Sequence, residues 1–277
     1  MAKITVAKKA GFCFGVKRAI KMAQEAVLKN KKTFVIGSLI HNPQEIKRLQ
    51  KLGIKTLKSP NVKSGIIILR THGISSDLYD RLKKRKSIEL ADAVCPFVKR
   101  AQKIVENLGQ KGERIVIVGE KDHPEIIALR SYAGKKCIII NDVGQAQKIK
   151  TQEPLNIVSQ TTQSLENFDA IVKVLRRNHK IKIFNTICKA TFDRQKEAAE
   201  LAKTADLMIV IGGMNSANTS RLAQICKDKT ITRHIETVGS LKKSWFKGKK
   251  NICITAGAST PDWIIKDIRF AIENIIN

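Results

Sequence analysis

Acidic residues are scarce in this chain of 277. The 24 Asp and Glu stand against 52 Lys and Arg, a formal charge of +28, so anionic partners are expected: nucleic acid, phosphorylated metabolites or an acidic protein. Aromatic residues make up 5% of the chain and are not interleaved with arginines as a base-stacking platform requires, which argues against nucleic acid. No apolar run approaches the roughly 20 residues needed to cross a bilayer. The amino terminus lacks an uninterrupted apolar core and reads as a first strand rather than a signal peptide. A soluble, cytoplasmic protein with no membrane partner is expected. No Pro/Gly/Ser-rich linker or low-complexity tract is present, so any modules are tightly apposed. Basic residues are scattered. The one dense run, Lys83-Lys84-Arg85-Lys86, is expected to be a solvated helix end.

The six cysteines include no close Cys-x-x-Cys pair of the kind structural zinc normally uses. In a reducing compartment they point to ligation or redox chemistry rather than disulfides. Cys137, Cys226 and Cys253 border apolar runs without a motif and read as core or partly buried residues. Cys13, Cys95 and Cys188 differ. Each stands where a strand-like run gives way to a cationic, amphipathic stretch. The first two share the frame Cys-x-x-Val-Lys-Arg-Ala; the third shares the placement and a nearby arginine. Recurrence at domain-scale intervals suggests a threefold pseudo-repeat bringing one thiolate per module to a metal centre. On spacing alone an iron-sulfur cluster, zinc and unrelated cysteines all remain open.

Short β-branched runs at 4–7, 33–36, 66–70, 114–118, 136–140, 155–159, 182–184, 207–211 and 251–255 alternate with helical patterns such as 16–28 and 98–108. The fold class is therefore α/β: three pseudo-equivalent modules with mostly parallel sheets. The modules are expected at 14–96, at 97–190, and at 1–13 with 191–277. Parallel sheets collect ligands at the carboxyl ends of their strands. There the sequence places His41-Asn42-Pro43, Thr71-His72-Gly73, Asp122-His123-Pro124-Glu125, Ser159-Gln160-Thr161-Thr162, the stretch from Gly212 to Thr219, and the stretch from Ala256 to Pro261. Small hydroxyl and amide residues beside glycines and helix starts favour a phosphorylated ligand.

These motifs, in unbroken order from Ala10 to Asp262, resemble the 4-hydroxy-3-methylbut-2-enyl diphosphate reductase family. The resemblance implies reductive dehydroxylation of an allylic alcohol diphosphate to isopentenyl and dimethylallyl diphosphates, the last step of the non-mevalonate isoprenoid pathway. It implies three modules around a [4Fe-4S] cluster, one per chain, held by Cys13, Cys95 and Cys188 with one iron site open. It assigns proton delivery to Glu125 with Thr161, and substrate binding to His41, His72, His123, Thr162, Asn215, Ser216, Ala217, Asn218 and Ser259. An acidic electron donor such as ferredoxin or flavodoxin is the implied protein partner. Two positions depart from the family pattern: Ala217 where some members have serine, and Ala128 where glycine is common. A reading of another class, a basic nucleic-acid or phosphometabolite binder with structural zinc, rests on the charge alone.

Overall fold

The computed structural model describes residues 2–29 and 31–276. Strands and helices alternate along the chain. They run β1 (Lys3–Val6), α1 (Phe14–Leu28), β2 (Thr33–Ile36), α2 (Pro43–Lys51), β3 (Ile54–Leu57), β4 (Gly65–Leu69), α3 (Ser76–Lys83), β5 (Ile88–Asp92) and α4 (Pro96–Gln110). Next come β6 (Arg114–Val118), α5 (Pro124–Tyr132), β7 (Cys137–Ile140), α6 (Val143–Gln147), β8 (Leu155–Ser159), α7 (Leu165–Asn178) and β9 (Ile181–Phe184). The chain ends with α8 (Lys189–Thr204), β10 (Leu207–Ile211), α9 (Ala217–Lys227), β11 (Thr232–Ile235), β12 (Asn251–Ala256) and α10 (Asp262–Ile276).

The strands form three four-stranded sheets in the orders β3-β2-β4-β5, β7-β6-β8-β9 and β11-β10-β12-β1. Every pairing is parallel. One topology is used three times, and β1 supplies the last strand of the third sheet. In the first two sheets the chain runs from one central strand out to one edge and from the other central strand out to the opposite edge, whereas in the third β10 leads out to β11 and β12 pairs with β1 from the start of the chain; in each a topological switch point falls between the two central strands. The six polar clusters of the sequence follow those central strands, β2, β4, β6, β8, β10 and β12.

Continuous apolar strands suit sheets covered on both faces. In β10, Leu207, Ile209 and Ile211 face a core with Ile264, Ile268 and Ile272 of α10. Met208 and Val210 face the opposite core with Ala198 and Ala202 of α8 and Leu222 of α9. In β6, Val116 and Val118 meet Phe168 and Ile171 of α7, while Ile115 and Ile117 meet Val105 of α4 and Leu129 of α5. Alternation along one strand thus feeds two cores.

By packing, the chain forms two compact units. One, residues 2–17, 41–48 and 189–276, holds the third sheet; the other, 18–40 and 49–188, holds the first two. The sequence reading did not anticipate β3, β5 and β11, all at sheet edges. Their sequences IKTL, IELAD and TRHI carry polar or charged residues in short, half-covered segments, so no apolar run announces them. The basic run also needs correction. Lys83, Lys84 and Lys86 are exposed at the end of α3, but Arg85 is half-buried, donating to the Pro60 carbonyl at 2.9 Å and to that of Val62. Among the described residues, no helix is long and apolar enough to cross a membrane.

Candidate active site at the strand ends

Each of the three singled-out cysteines follows the last strand of a sheet and immediately precedes a helix: Cys13 before α1, Cys95 before α4 and Cys188 before α8. All three are partly buried. Their backbone N–H groups are held equivalently. Cys13 donates to the Ala258 carbonyl at 3.1 Å, Cys95 to that of Thr71 at 3.0 Å and Cys188 to that of Thr161 at 2.9 Å. Each acceptor lies two residues past the third strand of its sheet, and the residue after it is Ser259, His72 or Thr162. The link that fixes a cysteine therefore also fixes a candidate substrate contact.

The unit containing the first two sheets carries Glu125, Thr161, His123, His72 and Thr162. Glu125 sits in the first turn of α5 and is buried. The Thr161 backbone N–H donates to its Oε1 at 2.6 Å and the Thr161 hydroxyl to its Oε2 at 2.7 Å. Burial pushes the carboxyl up to about 7, against the two Thr161 bonds, which pull it down. At neutral pH it is poised as a general acid.

The N-cap of the same helix is His123, whose Nδ1 accepts from the Glu125 N–H at 3.1 Å, so its neutral ring carries the proton on Nε2. The His72 and His123 rings meet edge to face, centroids 5.4 Å apart. Thr71 directs its hydroxyl to the Leu39 carbonyl, so at 3.3 Å from His72 Nδ1 its oxygen can only accept and Nδ1 carries a proton. Thr162 Oγ1 accepts from Gln160 Nε2 at 2.9 Å, which leaves its own proton to donate. Ala128 is buried and would lie 3.7 Å from a Cβ placed on Gly73, so the methyl packs against the His72 turn.

The other unit carries His41, Asn215, Ser216, Ala217, Asn218 and Ser259. Ser259 Oγ donates to the His41 carbonyl at 2.9 Å, and that carbonyl also lies 2.9 Å from where a Gly213 Cβ would stand. Three strand-end segments converge there. The Ser259 proton is directed at the backbone, so toward an anion the hydroxyl must first rotate. Ser216 caps α9, accepting from the Thr219 N–H at 3.3 Å and the Thr219 hydroxyl at 3.0 Å. Ala217 is half-buried in the first helical turn and Asn215 is exposed. Asn218 is 7% exposed, and its Nδ2 has no hydrogen-bond partner among the described residues. A buried donor without an acceptor costs about 1–3 kcal/mol, a cost an anionic ligand would remove.

Sequence reasoning placed Thr71, Gln160 and Thr219 in the strand-end clusters and noted Arg18 in the cysteine frame and an arginine near Cys188, but it assigned no role to them or to Thr186, which the structure shows aiming the candidate residues and holding the cysteine loops. The repeated Val-Lys-Arg-Ala frame was a signal for Arg18 and the arginine near Cys188 one for Arg194; nothing in sequence marked what the threonines would hold.

A family model described as LytB protein matches residues 4–273. The 4-hydroxy-3-methylbut-2-enyl diphosphate reductase of Pelobacter propionicus is 44% identical over 277 residues, covering 99% of this chain and 98% of its own. The protein of the same name from Campylobacter hominis is 50% identical over 274 residues, covering 96% and 97%. A solved (E)-4-hydroxy-3-methyl-but-2-enyl diphosphate reductase, described as the terminal enzyme of the non-mevalonate pathway, matches with a TM-score of 0.71 at 41% identity, over 99% of this chain and 100% of that one. The E-1-hydroxy-2-methyl-but-2-enyl-4-diphosphate reductase from Plasmodium falciparum matches with a TM-score of 0.92 at 27% identity, over 100% and 88%. With a family model spanning nearly its whole length and full-length relatives at this identity, the chain belongs to the LytB protein family.

Proposed function

We propose that the chain is a 4-hydroxy-3-methylbut-2-enyl diphosphate reductase, an oxidoreductase that takes two electrons and two protons to convert its substrate to isopentenyl or dimethylallyl diphosphate and water. Family membership supports the reaction and replaces the zinc-holding nucleic-acid alternative. The observation that carries the chemistry is Glu125, a buried acid held near 7 at a strand end. Hydroxide is a poor leaving group, and a proton delivered to the departing oxygen lets it leave as water.

The donor set fits an iron-sulfur cluster: three partly buried thiols at helix starts, with no fourth cysteine in equivalent placement, so that one iron of a [4Fe-4S] cluster would keep a position without a protein thiolate. Cys13, Cys95 and Cys188 would hold it. When bound, the cluster supplies one-electron reducing equivalents and a Lewis-acidic site.

Everything else falls to side chains. In its acid form Glu125 donates from Oε2 to Thr161 Oγ1, which turns the threonine proton outward toward the substrate. His123, with Nε2–H, and Thr162, with an unspoken-for hydroxyl proton, bind the diphosphate. His41, His72, Asn215, Ser216, the Ala217 backbone, Asn218 and Ser259 complete the anion pocket in this reading. The charge of +28 supports an acidic one-electron donor, such as ferredoxin or flavodoxin, and a cytoplasmic setting follows from that partner. Module boundaries at 14–96, 97–190, and 1–13 with 191–277 are part of the same proposal, supported by β1 joining the third sheet.

The test is anaerobic purification with assay of iron, acid-labile sulfide and turnover with a chemical one-electron reductant. Brown protein yielding both diphosphate products is expected. Colourless protein after anaerobic reconstitution, or no conversion by the brown form, would overturn the reading.

A further inference from the structure

Two arginines hold the loops that lead into two of the cysteines. Arg18 lies in the second turn of α1. Its Nη2 donates to the Asp92 carbonyl at 2.9 Å and its Nη1 to the Val94 carbonyl at 3.2 Å, the residue before Cys95. Arg194 lies in the second turn of α8. Its Nε donates to the Lys9 carbonyl at 2.9 Å and its Nη2 to the Gly11 carbonyl at 2.7 Å, two residues before Cys13. Each guanidinium spans alternate carbonyls of a loop. A planar fork with several fixed donors can do this and an ammonium cannot.

Other backbone groups of both loops are held too. The Val94 N–H donates to Asp92 Oδ1 at 3.2 Å and the Cys95 N–H to Thr71. The Lys8 and Lys9 N–H groups donate to the two carboxylate oxygens of Glu197, one turn beyond Arg194 on the same helix, at 2.8 and 2.7 Å. Donors and acceptors of one helix face thus clasp the Cys13 loop. The third loop is held differently. Thr186 Oγ1 donates to the Ser159 carbonyl and accepts from the Ser159 N–H at 3.0 Å, tying that loop to its own sheet. Arg100, which occupies in the Cys95 frame the place Arg18 has in the Cys13 frame, is exposed and makes no hydrogen bond or ion pair among the described residues.

We propose that Arg18 and Arg194 are positioning residues for the cysteines, each fixing the loop that presents a cysteine other than the one its own helix follows. Arg18 sets Cys95, Arg194 sets Cys13, and Thr186 does the same for Cys188 from within its sheet. The importance of this for the cofactor rests on the reading of the three cysteines as cluster ligands, but the positioning does not.

The test measures iodoacetamide alkylation of each cysteine, by mass spectrometry of peptides, in the full chain prepared without iron. Arg18→Ala should speed alkylation of Cys95 roughly tenfold, the effect expected when two charge-assisted bonds to one loop are lost, with Cys188 unchanged. Arg194→Ala should do the same for Cys13. Arg100→Ala should change none, and Arg18→Lys and Arg194→Lys, which preserve charge and side-chain length, should fall between. In the iron-loaded protein the two alanine variants should lose visible absorbance to a chelator faster than wild type, whereas Arg100→Ala should not. Equal acceleration at all the cysteines, no acceleration at the paired one, or an Arg100→Ala variant behaving like Arg18→Ala would overturn the proposal. Selective alkylation in a chain that never takes up iron would sustain it while refuting the cofactor reading.

Discussion

Thr161 grips both oxygens of Glu125, the backbone N–H at 2.6 Å and the side-chain hydroxyl at 2.7 Å. The same residue's carbonyl holds the N–H of Cys188. One residue therefore links the proposed proton donor to one of the proposed cluster ligands. Glu125→Gln keeps the shape and removes the acid. Substrate binding should survive while turnover falls by roughly 10² or more. A single-turnover assay of the reduced protein decides it: product at the wild-type rate would eliminate Glu125 as the donor.

The held acid also sets a pH limb. Burial raises Glu125 to about 7, so turnover should decline as pH rises above about 7 and the proton is lost. Because the Thr161 side-chain bond pulls the value down, Thr161→Val should move that limb to higher pH while lowering the rate by breaking the relay. A limb that stays put or moves lower in Thr161→Val would contradict this coupling.

Stability should carry the same signature. The folded Glu125 titrates near 7 and its ordinary value is 4.5, so between those values the folded chain keeps a proton the unfolded chain has lost. The contribution is full below 4.5 and disappears as pH rises to about 7, a loss on the order of 3 kcal/mol. Urea unfolding of wild type and Glu125→Gln across this window should show the wild type weakening relative to the variant. Parallel curves would place the titration elsewhere.

Cysteine substitutions should separate ligands from core. Cys13→Ser, Cys95→Ser and Cys188→Ser should each lower iron content and nearly abolish turnover. Cys137→Ser should keep the colour. Cys226 and Cys253 are buried in the core of the third sheet, and burial pushes the Cys226 thiol up to about 12. A serine hydroxyl at either would cost about 1–3 kcal/mol without loss of iron per folded chain. Their tolerance is thus expected in cofactor content, not in melting temperature. Loss of iron in Cys137→Ser with Cys188→Ser intact would overturn the ligand assignment.

The sheet ends were legible because their chemistry is concentrated in short polar clusters after apolar runs such as Leu207–Ile211 and Arg114–Val118, whose bounds in sequence and structure coincide. The edge strands β3, β5 and β11 were not, because four or five residues interrupted by polar positions look like loop. The cysteine frame announced equivalence between Arg18 and Arg100, yet one binds two carbonyls and the other faces solvent. Local sequence fixes where a side chain starts, whereas its partner depends on a loop from a distant part of the chain. The roles of Thr219 and Thr186 were unreadable for the same reason, as they exist only through contacts with Ser216 and Ser159.

Asn218 offers a test in which stability and binding part company. Its buried Nδ2 has no partner among the described residues, so Asn218→Ala removes an uncompensated polar group and should leave the ligand-free melting temperature unchanged or slightly raised. If that amide donates to the diphosphate, KM should rise by a factor of roughly 10, the loss of about 1–3 kcal/mol for a hydrogen bond to a charged group. A destabilised variant with unchanged KM would make Asn218 a structural residue.

Gly257 tests whether the third sheet's strand end presents the Ser216 helix. A Cβ there would stand 2.0 Å from Thr219 Oγ1 and 3.1 Å from its Cβ, and Thr219 is itself buried, so it cannot swing clear into solvent. Thr219 bonds Ser216 by both its N–H and its hydroxyl. Gly257→Ala must therefore push Thr219 away from the cap, at about 1–3 kcal/mol for overpacking, and shift the first turn of α9 where Ser216, Ala217 and Asn218 lie. The expected result is a lower melting temperature together with a raised KM, with iron content per folded chain unchanged. Adding Thr219→Ser, which deletes the methyl but keeps the hydroxyl, should recover little, because the closest clash is with the oxygen; Thr219→Ala, which deletes that oxygen, should restore stability while KM stays high. Recovery of KM by Thr219→Ala would show that the Thr219 hydroxyl does not hold the cap in its binding geometry.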